Sequence, residues 1–400
     1  MAPIKPRILI NIHYLEIGGA ERALLGLLNA IDTRKVDVDL FINQHTGELM
    51  RLIPSGINLL PENKRYATIE QPMISVLRKG HIDIIIARLI AKIRHHRYIK
   101  RLAEKPKEDG SIFHYVASCV TPLLPSLYNR GEYDLAVSFL TPHHIVAKKV
   151  NAKTKIAWIH TDYSTVNIDK EKELPIWDSF DHIASISPDV TKSFVTAFPS
   201  LATKVIEIEN IISPSFIKAQ SEAFAPEEMR GDEFKILSIG RFSYAKNFEN
   251  IPYIAKALRD RCLNFKWYII GFGDSRMIYD NIQSTQTDDC VIILGKKENP
   301  YPYISACDLY AQPSRYEGKS ITVREAQILC KPVLITNYPT ASSQVVNGSD
   351  GVICEMDNES IAEAILQLAK SPQMRARLIN HLQTIDYGNE QEIRKLYDLI

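Results

Sequence analysis

Two glutamates, Glu317 and Glu325, are separated by seven residues in a segment whose residue types suit a phosphorylated sugar. The sequence SRYEGKSITVREAQ, residues 314–327, predicts a loop that contains Glu317 and a helix that begins near Ser320. Gly318 would let the backbone approach a ligand closely, and the free N–H groups of a helix start attract phosphate. A buried sugar hydroxyl without a partner costs about 1–3 kcal/mol, so the two carboxylates are candidate acceptors for such hydroxyls.

A structural alternative exists for Glu325, because Thr322 and Glu325 fit a capping box in which the carboxylate only closes the helix start. A second motif favours the interpretation that Glu325 binds a ligand. A predicted strand ends in Gly240 and Arg241, and Lys246 follows five residues after Arg241. In a doubly wound sheet the carboxyl ends of strands face the ligand crevice, so both cations are expected to point at the same phosphates. Each cation alone is also an ordinary surface charge.

Other candidate residues give weaker signals. His160 ends a predicted strand, and a single histidine at such a position is more often structural than catalytic. Gly18 and Gly19 lack the full spacing of a dinucleotide-binding fingerprint. Gly271 and Gly273 mark a strand-to-helix turn, for which the need of a tight turn is an equal explanation.

The elements that must position these residues follow from short apolar runs that alternate with helix-length segments. Strands are predicted at residues 7–12, 36–43, 135–139, 155–160 and 182–187, and again at 235–239, 266–270, 291–294, 308–311 and 333–336. Helices are predicted at 21–30, 247–261 and 320–330. This alternation is typical of two doubly wound α/β domains. Pro, Gly and a charge run near 211–233 place the domains at 1–212 and 213–385, with a helix inside 386–400 that could pack back on the first.

Composition agrees with two globular domains. The 400 residues include 48 Lys and Arg against 47 Asp and Glu, with 45% hydrophobic residues, which excludes disorder and argues against nucleic-acid binding. The six cysteines show no metal-ligand spacing and are expected to be reduced core residues. No apolar run has the length of a signal sequence or a membrane span, so a cytoplasmic protein is expected, with peripheral attachment to the inner face of the cell membrane left open.

Residues 78–107 differ from the rest of the chain. They contain ten Lys and Arg against two acidic residues, a net charge of +8, and isoleucines recur among them at helical spacing. A basic amphipathic helix is predicted. It has two interpretations: attachment to an anionic bilayer, to which each cation contributes about 1 kcal/mol, or a core helix with a solvated basic outer face.

Taken together, the motifs resemble the retaining glycosyltransferases of family 4, within the glycosyl transferases group 1. The resemblance covers most of the chain and is most specific over residues 235–351. It implies an α/β protein of the GT-B fold, with two facing Rossmann-like domains, the first on the acceptor side and the second binding the nucleotide sugar, and an active site in the cleft between them.

The resemblance also implies roles for individual residues. It places the donor diphosphate on the Gly-Arg…Lys-Asn segment, the donor sugar on the first glutamate and the ribose on the second. Catalytic roles would belong to Arg241, Lys246, Glu317 and His160. Donor binding would involve Gly18, Gly19, Gly240, Asn247, Gly271, Gly273, Gly318, Lys319, Ser320 and Glu325.

The chain departs from the family pattern at two places. Lys319 stands where the family often has an apolar residue, which adds positive charge near the phosphates. The segment 340–348 lacks the glycine and the acidic residue often found there, so no role is carried over to it.

The implied activity is transfer of a hexose-type sugar, with retention, from a nucleotide diphosphate sugar to a hydroxyl of a glycan or lipid-linked acceptor in bacterial surface polysaccharide synthesis. A UDP-linked donor is expected, and neither a metal nor another cofactor. The sole D-x-D, Asp37 and Asp39, lies in a predicted strand and is expected to face solvent. The alternatives are a nucleotide-sugar epimerase or a phosphorylase on the same fold, or a non-catalytic sugar-nucleotide-binding partner at the membrane.

Overall fold

The computed structural model describes residues 5–102, 109–317 and 319–400. The chain divides into two compact units. The first comprises Met1–Ile212 and Asn389–Ile400, and the second comprises Ser213–Gly388.

The first unit is built on a sheet of seven parallel strands. The strands are β1 (Arg7–Ile12), β2 (Asp37–Ile42), β3 (Asn58–Leu59), β4 (Tyr133–Ser138), β5 (Ala152–Ile159), β6 (His182–Ser185) and β7 (Val205–Glu207), in the spatial order β3-β2-β1-β4-β5-β6-β7. Both faces of the sheet are covered. Ile8 and Ile10 pack in one hydrophobic cluster with Leu24, whereas Leu9 between them packs in a second cluster with Ile84, because successive strand residues point to opposite faces.

Eight helices of the described chain connect these strands. They are α1 (Gly19–Ala30), α2 (Lys64–Ala67), α3 (Met73–Arg78), α4 (Ile82–Ile99), α5 (Ser111–Val120), α6 (His144–Lys149), α7 (Lys170–Asp178) and α8 (Pro188–Ala197). The near-continuous apolar runs of the strands are therefore explained by helices on both faces, as in other parallel sheets.

The second unit has six parallel strands. They are β8 (Phe234–Phe242), β9 (Phe265–Gly273), β10 (Val291–Gly295), β11 (Leu309–Gln312), β12 (Val333–Thr336) and β13 (Val352–Cys354), in the spatial order β10-β9-β8-β11-β12-β13. Its helices are α9 (Pro214–Ser221), α10 (Ile251–Asp260), α11 (Arg276–Thr285), α12 (Tyr301–Ala306), α13 (Ile321–Ile328), α14 (Ala341–Gln344), α15 (Asn358–Lys370) and α16 (Pro372–Leu382). Trp267 is buried at the centre of its core. The predicted two Rossmann-like parallel α/β domains are confirmed.

The last helix returns to the first unit. It is α17 (Ile393–Tyr397), whose Ile393 and Leu396 join the hydrophobic cluster around β1. The hydroxyl of Tyr397 accepts a hydrogen bond of 2.8 Å from the backbone N–H of Asp32.

The predicted basic helix is present as α4, which begins at Ile82. Arg78, the first residue of the basic segment, ends α3, and the chain turns between the two helices at Gly80, whose φ is +78°. Such a φ favours glycine over other residues. The helix ends at Ile99, and the predicted continuation through residues 103–107 lies outside the described residues. No helix of the described ranges combines the length and apolar character that crossing a bilayer requires.

Helix α4 exposes apolar side chains. Ile84, Ala87 and Ala91 are buried against the unit. The opposite face carries a row of exposed residues that we call the α4 stripe: Ile82, Ile86, Leu89, Ile90 and Ile93. The side chains of Ile86 and Ile93 are each 53% exposed. An apolar row of this kind on a basic helix requires an explanation beyond a solvated outer face.

Two smaller expectations need correction. Asp37 is exposed, but Asp39 is partly buried and accepts hydrogen bonds from the side chains of Asn58 and Tyr133, so it ties strands of the sheet together. All six cysteines are free, but Cys290 and Cys307 alone are buried. Cys119, Cys330 and Cys354 are partly buried, and Cys262 is exposed in a turn where its φ is +58°.

Candidate active site

The first element of the candidate site is the loop that follows β8. A Cβ atom on Gly240 would lie 3.1 Å from Cε of Lys246, so glycine leaves room for the lysine stem to fold back over the strand end. Asn247 turns the chain with a φ of +59° and is buried. Asparagine is among the residues that tolerate this conformation best. These residues fix the direction of the Lys246 ammonium group.

That ammonium group meets Glu317, which follows β11. Nζ of Lys246 lies 2.6 Å from Oε1 of Glu317. The same oxygen accepts hydrogen bonds from Oγ of Ser314 at 2.6 Å and from Nε2 of Gln312 at 3.1 Å. Both ionic side chains are largely buried, with 19% and 11% exposed. The structure thus brings together two of the predicted catalytic residues, and Ser314 and Gln312 had not been predicted.

Arg315 joins the two loops a second time. Its backbone N–H donates to the carbonyl of Ala245 at 2.8 Å, and its Nη1 donates to the carbonyl of Tyr244 at 2.6 Å. Nη1 also lies 2.6 Å from Oε1 of Glu249. Hydrogen bonds therefore join the loop after β8 to the loop after β11, and they increase the rigidity of the pair formed by Lys246 and Glu317.

Arg241, the other predicted catalytic cation of this segment, lies beside an aromatic ring. It is exposed, and its guanidinium carbon lies 5.9 Å from the ring centre of Phe272. The ring is also approached by Nζ of Lys296 at 5.7 Å.

Gly271 is needed for strand packing, since a Cβ there would lie 2.0 Å from the carbonyl oxygen of Gly240. Gly273 has a φ of +123°, so its turn requires glycine.

The helix that follows Glu317 is α13, and its start is held by a segment to which no role had been assigned. The hydroxyl of Thr340 donates to the carbonyl of Glu317 at 2.8 Å. The amide side chain of Gln344 accepts from the backbone N–H of Ser320 at 3.0 Å and donates to the Ser320 carbonyl at 2.5 Å. Residues 340–344 therefore support the candidate phosphate loop. Lys319 is exposed on it, and Gly318 lies outside the described residues.

Glu325 lies inside the second unit. Its side chain is 2% exposed, and its Oε1 accepts a hydrogen bond of 2.9 Å from the hydroxyl of Tyr301. The N-cap of α13 is Ser320, not Thr322, and its side chain makes no capping bond. The capping box considered for Glu325 is therefore absent from the described residues, and contact between Glu325 and a ribose stays a prediction.

The remaining predicted site residues belong to the first unit. Gly18 is the N-cap of α1, and a Cβ there would lie 2.0 Å from Oε2 of Glu21. A Cβ on Gly19 would have no such neighbouring atom within 4 Å. His160 follows β5, and burial lowers its pKa to about 3, although a hydrogen bond with the backbone of Phe139 opposes this shift. The imidazole is neutral at pH 7, and its Nε2 has no hydrogen-bond partner in the described part of the chain.

A buried polar network beside β1 was missed by sequence reasoning. Nδ1 of His13 lies 2.6 Å from Oε1 of Glu70, and Nδ2 of Asn43 lies within 3.3 Å of the same oxygen. Burial opposes protonation of His13, but the charge and hydrogen bond of Glu70 prevail and raise the pKa of His13. The partners lie 57 residues apart in sequence, so no local spacing indicates their contact.

Within residues 5–102, 109–317 and 319–400, no group of three or more His, Cys, Asp or Glu side chains is arranged to hold a metal ion. The arrangement at the ends of β8 and β11 instead offers a cation, a carboxylate and a helix start, which suit a phosphate and a hydroxyl-rich group.

Comparison with known proteins agrees with this chemistry. Residues 219–384 match the family model of the glycosyl transferases group 1. The amylovoran biosynthesis glycosyltransferase AmsD of Erwinia amylovora is 24% identical over 216 residues, which are 52% of this chain and 59% of that protein. The N-acetylgalactosamine-N,N'-diacetylbacillosaminyl-diphospho-undecaprenol 4-alpha-N-acetylgalactosaminyltransferase of Campylobacter jejuni is 26% identical over 156 residues, 38% of this chain and 42% of that protein. The chain thus matches about half the length of these relatives.

A similarity to solved structures extends over both units. HepE of Anabaena, in its crystal structure with UDP-glucose, has a TM-score of 0.62 and 16% identity, and the match covers 98% of this chain and 100% of HepE. At this identity the match demonstrates the fold alone. The chain therefore has the GT-B fold, and its residues 219–384 are similar to the glycosyl transferases group 1.

Proposed function

We propose that the protein is a retaining glycosyltransferase that moves a hexose from a UDP-linked donor to an acceptor hydroxyl in surface polysaccharide synthesis. The observation that supports this most is the pair of Lys246 and Glu317, 2.6 Å apart on loops that follow two adjacent strands. The polysaccharide and lipid-linked glycan activities of the relatives, and the UDP-glucose in the HepE crystal, support the substrate classes.

In this proposal the Lys246 ammonium group leaves Glu317 and binds the donor phosphates. The bond between the sugar and the diphosphate breaks, and the acceptor oxygen bonds to the anomeric carbon on the same face while its proton passes to the leaving phosphate. Negative charge grows on that phosphate, and fixed positive groups aimed at it are usually the largest catalytic contribution. Lys246, the exposed Arg241 and the uncapped start of α13 would supply them.

Glu317 would then bind the donor sugar. In the structure its Oε1 has three donors, from Lys246, Ser314 and Gln312. When Lys246 turns to the phosphates, acceptor capacity on the carboxylate becomes available to sugar hydroxyls. The neutral imidazole of His160 is proposed to bind a donor hydroxyl as well, and the ribose is assigned to Glu325.

The first test measures donor binding and turnover by Lys246→Ala. The substitution removes one fixed cation, so kcat is expected to fall about 100- to 1000-fold and thermal stabilisation by UDP to shrink. Lys256→Ala is the matched control, because Lys256 lies in the same unit and its ion pair with Asp260 is exposed. A Lys246→Ala protein with unchanged turnover at saturating donor would remove the basis of the proposal.

The same assay separates the reaction classes. A labelled UDP-sugar supplied with a lipid-linked acceptor gives an extended acceptor only if the protein is a transferase. An epimerase converts the donor without any acceptor, and a non-catalytic partner binds the donor without product. Transfer that persists in Glu317→Gln at the rate of the unaltered protein would contradict the role of this carboxylate.

We also propose that α4 lies on an anionic membrane surface, where a lipid-linked acceptor would be presented. The α4 stripe is exposed and apolar, and Lys92, Arg94 and Lys100 stand on the same helix or at its end. Apolar burial and cation attraction would then act together. Cosedimentation with phosphatidylglycerol vesicles should exceed that with phosphatidylcholine vesicles and fall with added salt. Binding that is indifferent to lipid charge and to salt would contradict this attachment.

A further inference from the structure

The first unit contains a large open cavity that none of the proposed donor-binding residues lines. Its volume is about 1120 Å³, and it lies among the end of α4, α5, α6 and the beginning of α7. We call it the α4–α6 cavity. A volume of this size slightly exceeds the range of about 300–1,000 Å³ that small-molecule sites usually occupy.

The lining of the α4–α6 cavity is strongly basic. Arg94, Arg97 and Arg101 line it from the end of α4, Lys148 and Lys149 from α6, and two lysines from α7. None of these seven forms an ion pair with a carboxylate of the described chain. Like charges gathered without counterions repel one another, so a bound anion would be stabilised here.

Two buried polar side chains of the cavity lack partners. Neither ring nitrogen of His144 has a hydrogen-bond partner among the described residues, nor has Oγ1 of Thr121, and both residues are more than nine-tenths buried. Burial lowers the pKa of His144 to about 3, so the ring is neutral and offers one N–H donor. The ring of His114 packs against it at 4.7 Å between centroids. Buried polar atoms without partners are rare, and a missing ligand is one explanation for them.

The acidic groups beside the cavity do not cancel its charge. Asp169 accepts a hydrogen bond of 2.5 Å from the hydroxyl of Tyr115 and caps α7 through the backbone N–H of Lys172. Glu171 is exposed to solvent on the rim. The lining therefore keeps an excess of five positive charges, seven basic against two acidic residues.

The α4 stripe leads into this cavity. On a helix, residues three and four apart share a face. Arg94 follows Ile90 by four residues, and Arg97 follows Ile93 by four, so the apolar row continues directly into the basic lining. A ligand that lies along this face meets hydrophobic side chains first and cations at the end.

We infer that the α4–α6 cavity binds the diphosphate head of a prenyl-diphosphate-linked acceptor, with the prenyl chain along the α4 stripe. This deepens the proposed function and rests on it for the identity of the ligand as acceptor. A free nucleotide or nucleic acid would satisfy the cations, but the apolar row that leads into them would take no part in its binding. A neutral lipid would cover the row but leave the cations and His144 unsatisfied.

The probes are farnesyl diphosphate, inorganic pyrophosphate and farnesol, measured by calorimetry with the full chain. Farnesyl diphosphate should bind more tightly than either of its two parts. Arg97→Gln combined with Lys148→Gln should weaken it about tenfold or more, since two contacting charges are removed. The control, Lys64→Gln with Lys192→Gln, removes two exposed charges outside the cavity and off α4, and should change affinity less than about twofold.

The stripe is tested separately with Ile86→Ser combined with Ile93→Ser. This variant should bind farnesyl diphosphate several-fold more weakly and pyrophosphate as before, because exposed side chains are changed without altering the cations. Equal affinity of farnesyl diphosphate for the charge variant and the unaltered protein would overturn the inference. Phosphatidylglycerol vesicles that bind the protein to the same extent with and without a prenyl diphosphate would also overturn the inference.

The two proposals fail in different ways. Farnesyl diphosphate binding by a protein that UDP does not stabilise would leave the cavity assigned and refute the transferase. UDP stabilisation without farnesyl diphosphate binding would refute the cavity assignment and leave the transferase intact.

Discussion

Glu173 allows a prediction whose magnitude follows from the structure. It lies on α7 with 6% of its surface exposed. Burial raises its pKa to about 7 from 4.5, the charge of Asp169 adds to the rise, and a hydrogen bond with Trp177 opposes it. The folded protein therefore keeps a proton on this carboxyl group that the unfolded chain releases.

The pH dependence of the free energy of unfolding follows from the difference between the folded and unfolded pKa values. Below pH 4.5 both states are protonated, and burial of the neutral acid is unaffected by pH. Between pH 4.5 and 7 the folded state binds more protons than the unfolded one, so stability falls as pH rises, and above pH 7 the loss is complete. A shift of this size corresponds to about 3 kcal/mol, at about 1.4 kcal/mol per pKa unit.

Glu173→Gln removes the ionisation and keeps the shape. Its free energy of unfolding, relative to the unaltered protein, should be near zero at pH 4 and rise to about 3 kcal/mol in favour of Gln at pH 8. Urea titrations followed by Trp fluorescence measure this difference. A Trp267→Phe background confines the signal to Trp158 and Trp177, both in the first unit.

The matched control is Glu171→Gln on the exposed side of the same helix, whose effect should not follow this pH profile. Histidines that titrate nearby are common to both proteins and cancel in the difference. A stability difference between Glu173→Gln and the parent that is the same at pH 4 and pH 8 would refute the assignment of a protonated, buried Glu173.

Two further outcomes are expected. Gly19→Ala should raise the melting temperature, because its Cβ meets nothing within 4 Å and replacing Gly by Ala at a compatible position stabilises by about 0.4–1 kcal/mol. Gly18→Ala should lower the melting temperature by displacing the Glu21 carboxylate, and equal shifts for the two variants would contradict the local geometry. Gln344→Ala should destabilise the second unit by about 1–3 kcal/mol, since both backbone groups of Ser320 lose their partner, and urea unfolding read by Trp267 should show no such loss for the exposed Gln367→Ala control.

The strand ends were predictable because a buried parallel strand is a short apolar run, and the residue after it must lie at the ligand edge. Lys246 and Glu317 could therefore be assigned to one edge before any contact was known. Their 2.6 Å separation depends on Gly240, whose role as space for the lysine stem only the structure reveals.

The missed contacts share a cause. Gln344 holds Ser320 across 24 residues, and Arg315 reaches Glu249 across 66, so both depend on how distant loops pack. The helical spacing in the basic segment correctly predicts α4, but it does not locate the turn at Gly80 that separates α4 from α3. Periodicity identifies a buried face, and it cannot tell whether an apolar row is covered or left exposed as on α4.

The return of α17 to the first unit has a consequence for the order of synthesis. The second unit is one uninterrupted stretch, Ser213–Gly388, whereas the first also needs Asn389–Ile400. Domains generally fold as units while the chain emerges from the ribosome, amino-terminal ones first. The hydrophobic cluster around β1 is complete only when Ile393 and Leu396 have been synthesised, so the unit translated first is the one completed last.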